Sequence, residues 1–129
     1  MRIGVAAVLI GLAAGVPDPS LTPGTIASAD TANVCASDGR PGSAYSRANR
    51  SMNEDARKAD FARYGVPWAD HREYENDHLV SLCLGGADAA GNRWPEPRFG
   101  SWSAYDKDRL ESYACHEVCT GRLDLGTAQ

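Results

Sequence analysis

The chain has no surplus of positive charge. Lys and Arg number 13 against 17 Asp and Glu, a formal net charge of −4. This excludes a domain that holds nucleic acid through its overall charge. There is no Cys-x-x-Cys pair, so the usual spacing of a structural zinc site is missing. After Val16 no apolar run is long enough to span a bilayer. No internal repeat and no long low-complexity run is present, which excludes a solenoid.

What is there begins with a leader. Met1-Arg2 starts positive, residues 3–16 are apolar, and Ala27-Ser28-Ala29 gives a small-x-small cleavage pattern before Asp30. Residues 1–29 therefore read as a secretory signal peptide, with an uncleaved N-terminal anchor as the alternative. The expected product is secreted, free of the membrane and monomeric. Residues 30–129 form one small domain: a loop and helix over 30–72, then a core over 73–129. A domain of this size buries little apolar surface and often needs covalent or metal staples.

Four cysteines supply the staples: Cys35, Cys83, Cys115 and Cys119. An even count in an exported chain favours disulfides. Cys115 and Cys119 lie one helical turn apart, where a mutual bridge is strained, so each should reach a distant partner. The expected pairs are Cys35–Cys119 and Cys83–Cys115. The alternative is a zinc site built from Cys83, Cys115, His116 and Cys119.

Residues 46–64 lack Gly and Pro, and Ala48, Met52, Ala56 and Ala59 recur at helical spacing before Gly65 and Pro67. This predicts one helix. Residues 73–84 read as a strand, Gly85-Gly86 as a turn, and 92–94 as a short second strand ended by Pro95 and Pro97. A helix over 102–119 follows, capped by Ser101 or Ser103, with Leu110, Ala114 and Val118 as its apolar stripe. The fold class is α+β, a helix followed by strand, turn, strand and helix.

The polar residues of that arrangement suit phosphodiester hydrolysis, which needs a base, a cation and something to hold the base. His78 is the candidate base, since imidazole is largely neutral near pH 7. Asp77, Asp108 and Glu111 supply oxygens of the kind that bind Mg²⁺ or Mn²⁺ and tolerate Ca²⁺. Asn92 can hold the imidazole or a ligand through its amide. Lys107 and Arg109 are placed to meet phosphate, and the arginines between Arg40 and Arg63 are a second such set. Adjacent strand residues face opposite ways, so joining Asp77 and His78 at one site requires a bulge.

Each feature also has a structural reading. Asp77-His78 is an ordinary polar strand start, and Asn92 a turn residue. Lys107–Glu111 is an i,i+4 ion pair. The arginine-rich helix is a solvated face, Trp94 and Trp102 are core, and His71 and His116 are structural.

The combined pattern "DHLVSLCLGG…NRWPEP…KDRLE…VC.G.L.L..AQ" resembles a group of secreted bacterial proteins related to the HNH, or ββα-metal, endonucleases, over about residues 74–129. The resemblance implies a disulfide-stapled HNH-like core that acts on DNA or RNA with a divalent metal. In it His78 is the base, Asp77 a metal ligand, and Asn92 the residue that orients the histidine or touches the metal. The helix histidine of the group has no counterpart here; Asp108 is the nearest substitute and Glu111 the second. Cys83 stands where the group carries glutamate, and Arg93 where it carries leucine. Cys83 and Cys115 thus look like an added bridge. A catalytically silent scaffold, serving as a binding or cell-envelope module, is the alternative function.

Overall fold

The computed structural model describes residues 16–36 and 42–129. Residues 1–15, most of the expected leader, lie outside the described residues, as does Arg40. Among the described residues five α-helices and one hairpin follow in order: α1 (Thr31–Val34), α2 (Ser43–Asn49), α3 (Glu54–Arg63), β1 (Tyr74–His78), β2 (Arg93–Pro97), α4 (Ala104–Cys119) and α5 (Leu125–Ala128). The small mixed domain is α+β, as its sequence pattern implies.

The single helix expected over 46–64 is two. Asn53 is an N-cap whose side chain accepts from the Ala56 N–H, and Glu54 and Asp55 fill the first turn of α3. The N–H groups of Ser51 and Met52 leave the helical ladder to donate to the Asp88 carboxylate. A partner 36 residues away in sequence thus breaks the helix.

The strands pair antiparallel, with Asp77 opposite Trp94 and His78 opposite Arg93. β1 is shorter than expected, because Leu79 to Gly86 turn away into a loop closed by Gly86 N–H to the Ser81 carbonyl. At Gly86 an added Cβ would lie 1.9 Å from the Val80 carbonyl oxygen, so the turn accepts only glycine. β2 is longer than expected and runs through both prolines. The bonds Leu79 N–H to Asn92 O and Arg98 N–H to Glu73 O fix the ladder. Pro95 and Pro97 face Asn76 and Tyr74, at the alternate pairs that exchange no bonds. With only two strands, their missing N–H groups fall on an open edge.

α4 starts where Ser103 and Asp106 form a capping box. Both expected disulfides are present, Cys35–Cys119 and Cys83–Cys115. With these thiols oxidised, the four-ligand zinc alternative has no thiolates and is set aside. The bridges bracket a core of Val34, Tyr45, Leu84, Val118 and Leu125. A second packing centre joins Phe61 edge-on to Trp68 and Tyr74. Among the described residues no helix is long and apolar enough to cross a membrane, and the disulfides suit an oxidising compartment.

Residues 18–28, which the sequence places in the leader, lie against the hairpin. The Thr22 hydroxyl is buried between the Tyr64 hydroxyl and the Arg93 carbonyl. Gly24 donates to Gly91 O, and Ala27 and Ser28 to Gly85 O. Gln129 bridges Ser28 O and Leu84 O. A cut after Ala29 separates residues 18–28 from the rest of the chain and so puts every one of these contacts at risk except that of Gln129 with Leu84 O.

Candidate functional site: two faces of one hairpin

Strand alternation decides where the polar residues go. β1 has no bulge, so Asp77 and His78 point to opposite faces. Asp77 turns toward α4 and His78 toward α3 and the turn. The imidazole and the acids that the sequence groups together are separated by the sheet.

On the α4 face, the Lys107 ammonium donates to Asp77 Oδ2 at 2.7 Å and to the His78 carbonyl at 2.7 Å. It also contacts Glu111 Oε1, the i,i+4 pair legible in sequence. Glu96 on β2 completes the group: it is 2% exposed, and its Oε2 has no hydrogen-bond partner. Burial raises the Glu96 carboxyl to about 9, helped by the neighbouring Asp77. Burial raises Glu111 to about 7, against the opposing pull of Lys107. Burial also acts on Asp77, but the Lys107 charge and the bond to Glu96 outweigh it and hold this carboxyl below its usual value. Lys107 is raised because Asp77 and Glu111 outweigh its own burial.

Asp108 is exposed at the rim, its carboxyl raised by partial burial and by Asp77. Arg109 points elsewhere, into a shallow outer depression with Trp102 and Tyr113. Of the expected ligands and phosphate contacts, the structure therefore gathers Asp77, Glu111 and Lys107 and leaves Asp108 and Arg109 outside.

On the α3 face, His78 is 2% exposed and its Nε2 lies 2.8 Å from Asp88 Oδ1. Burial lowers the imidazole pKa despite that carboxylate, so the ring is neutral and donates from Nε2. Arg93 reaches Asp88 Oδ1 at 3.0 Å and Asp60 Oδ2 at 2.8 Å. Asn76 and Arg63 complete the Asp60 shell. The remaining Asp88 oxygen takes the Ser51 and Met52 N–H groups. All four oxygens of Asp60 and Asp88 are paired. Asp88 opposes its own burial through His78, Ser51 and Arg93 and sits far below the usual carboxylate range.

Asn92 is fully buried and bonds to backbone alone. Its Oδ1 accepts from Val80 N and Thr25 N; its Nδ2 donates to Val80 O and Ala87 O. It pins the loop and the N-terminal strap. The expected bond to the imidazole is not among these, because every amide position is already used. Trp94 is buried as expected. Trp102 is not: it is 78% exposed, with a left-handed φ of 59°. His71 stacks on Trp68, and His116 is exposed on α4.

Glu96, Asp88, Arg93 and Asp60 were missing from the sequence-based site. Glu96 had one available signal: in "RWPEP" it lies two residues from Trp94 and so shares its face.

The carboxylate oxygens of the α4 face are hard donors of the type Mg²⁺ and Mn²⁺ prefer. They do not fit a divalent ion as arranged. Two of the three acids already bind the Lys107 ammonium, and among the described residues no three His, Cys, Asp or Glu side chains are placed to hold a metal. Comparison with protein-family models, with curated proteins and with solved structures gave no match.

Proposed function

We propose that the chain is an exported, HNH-like scaffold that binds through its α4 face and does not cut phosphodiesters. The observation that carries this is the position of His78, buried against Asp88 on the side of the hairpin away from the acids. A general base must reach the water it deprotonates, and no path around β1 brings this imidazole to Lys107 or Glu111. The ammonium in the acid group strengthens the reading, since it supplies the compensating cation from within the chain.

A divalent-metal endonuclease acting on DNA or RNA is the second reading. It is favoured by the surplus of carboxylates around Lys107 and by the unpaired Glu96 oxygen. Incubating the purified protein with plasmid and with RNA in Mg²⁺, Mn²⁺ or EDTA separates the two, beside a His78→Ala control. The scaffold reading expects intact substrate in every tube and no Mn²⁺-dependent rise in Tm. Metal-dependent cleavage that disappears in His78→Ala replaces it with the nuclease.

A further inference from the structure

The α4 face also bounds a cavity of about 440 Å³ between the loop after β1 and α4. Its walls are apolar: Leu79, Val80, Leu84, Leu110 and Ala114. Glu96, Lys107 and Glu111 line it too, so the acid group opens into an apolar chamber. We propose that this cavity binds an organic ammonium ligand, a primary amine carrying an aliphatic or aromatic tail. The inference rests on the scaffold reading of this face and names its ligand class.

Three observations choose that class. Three carboxyl groups, of Asp77, Glu96 and Glu111, surround one ammonium, and burial keeps the proton on Glu96; an entering ammonium that lets Glu96 give up that proton to solvent is compensated, whereas an anion is not. Glu96 Oε2 is buried without a partner, and an orphaned buried oxygen gains most from an N–H donor. The apolar walls offer nothing to a hydrated metal ion but bury a hydrocarbon tail. A neutral lipid satisfies the walls and leaves the oxygen orphaned; an alkylammonium satisfies both.

Trp102 stands at the mouth, also lining the cavity. A bulky residue in the left-handed region is held there against its preference, and such strain gathers at binding sites. Its exposed ring is placed to cover the entering tail or to stack on the charge.

Isothermal titration calorimetry tests the idea with three probes of one chain length: n-hexylammonium chloride, 1-hexanol and sodium hexanoate. The expected order is hexylammonium tighter than hexanol by about tenfold or more, with no binding of hexanoate. Glu96→Gln should remove most of the preference for the amine and leave hexanol unchanged. Trp102→Ala should weaken both by a similar factor. Equal affinity for amine and alcohol, or no saturable amine binding, overturns the proposal. If Glu96→Gln does not fold, the wild-type comparison of amine with alcohol decides alone. Failure here is separable from failure of the scaffold reading: absent amine binding without cleavage sinks the amine inference alone, whereas cleavage lost in His78→Ala sinks the scaffold reading and the inference with it.

Discussion

The two faces of the hairpin bury similar chemistry and resolve it in opposite ways. On the α3 side, two carboxylates meet two guanidiniums, an amide, an imidazole and two backbone N–H groups; every charged oxygen is paired, and only the uncharged Asn76 Oδ1 is buried without a partner. On the α4 side, one ammonium binds two of three acids, and an oxygen of the third, Glu96, is buried without a partner. A closed network reads as structure, because each charge is there to satisfy another. An unbalanced one beside a cavity reads as a site waiting for something from outside. Residue type alone points the other way, since the histidine sits in the closed network.

The largest expected effect breaks the closed face. Arg93→Ala leaves Asp60 and Asp88 buried with less compensation, and removing one partner from a buried pair typically costs about 3–5 kcal/mol. Urea unfolding should show a loss in that range. A loss under about 1 kcal/mol would mean that the network is surface-like and that the contrast between faces is false. Lys107→Met comes next. It leaves Asp77 and Glu111 facing each other at a half-open site, so a loss of about 2 kcal/mol is expected near pH 8. The variant should also gain a Mn²⁺-dependent rise in Tm that the wild type lacks, as the vacated oxygens accept a cation. Equal Mn²⁺ response in both proteins would show that the ammonium does not fill the role assigned to it.

Several parts of this picture were legible in the sequence. The one-turn spacing of Cys115 and Cys119 implied distant partners, and both bridges have the expected pairing. A serine cap for α4, expected at Ser101 or Ser103 and found at Ser103, and the Lys107–Glu111 pair follow from local rules of capping and helix periodicity. What stayed hidden depends on distant partners. The break between α2 and α3 is made by Asp88 on a remote turn. The packing of residues 18–28 looks like leader composition until the Gly85 and Gly91 carbonyls are seen to receive it. Glu96 looked like a residue between strand-breaking prolines, and only the register reveals that they occupy non-bonding pairs and that β2 continues through them.

The pH dependence of stability should carry the signature of both faces. Glu96 and Glu111 have folded pKa values of about 9 and about 7, above their unfolded values. In that interval the folded state binds more protons, so stability falls as pH rises from about 5 to about 9. Asp88 is depressed, so its contribution is present above the usual carboxylate pKa and is lost as pH falls below about 4. His78 is also depressed, so the unfolded state takes its proton first and stability drops as pH falls through about 6.5. Tm measured across pH should therefore peak on the mildly acidic side and decline toward pH 9. A curve that rises toward pH 9 would remove the claim that the α4 acids are crowded.

The smallest effect is the sharpest discriminator, because its sign is the prediction. Glu96→Gln keeps the shape of the side chain and removes the group that resists ionisation. At pH 6, where the native carboxyl is protonated, the change should be within about 0.5 kcal/mol of neutral, as one uncharged hydrogen-bonding group replaces another. At pH 9 the glutamine protein should be the more stable, by about 1 kcal/mol, because the wild type must then bear a third buried charge beside Asp77 and Glu111 or hold a proton against the solvent. The alkaline decline of Tm should flatten accordingly. The matching change on the other face, Asp88→Asn, should destabilise at both pH values, since there the charge is what its partners require. Two carboxylates, buried on opposite sides of one hairpin, would then respond to loss of charge with opposite signs. Destabilisation by Glu96→Gln at pH 9 would place this residue in a satisfied network and take away the reason to look for a ligand beside it.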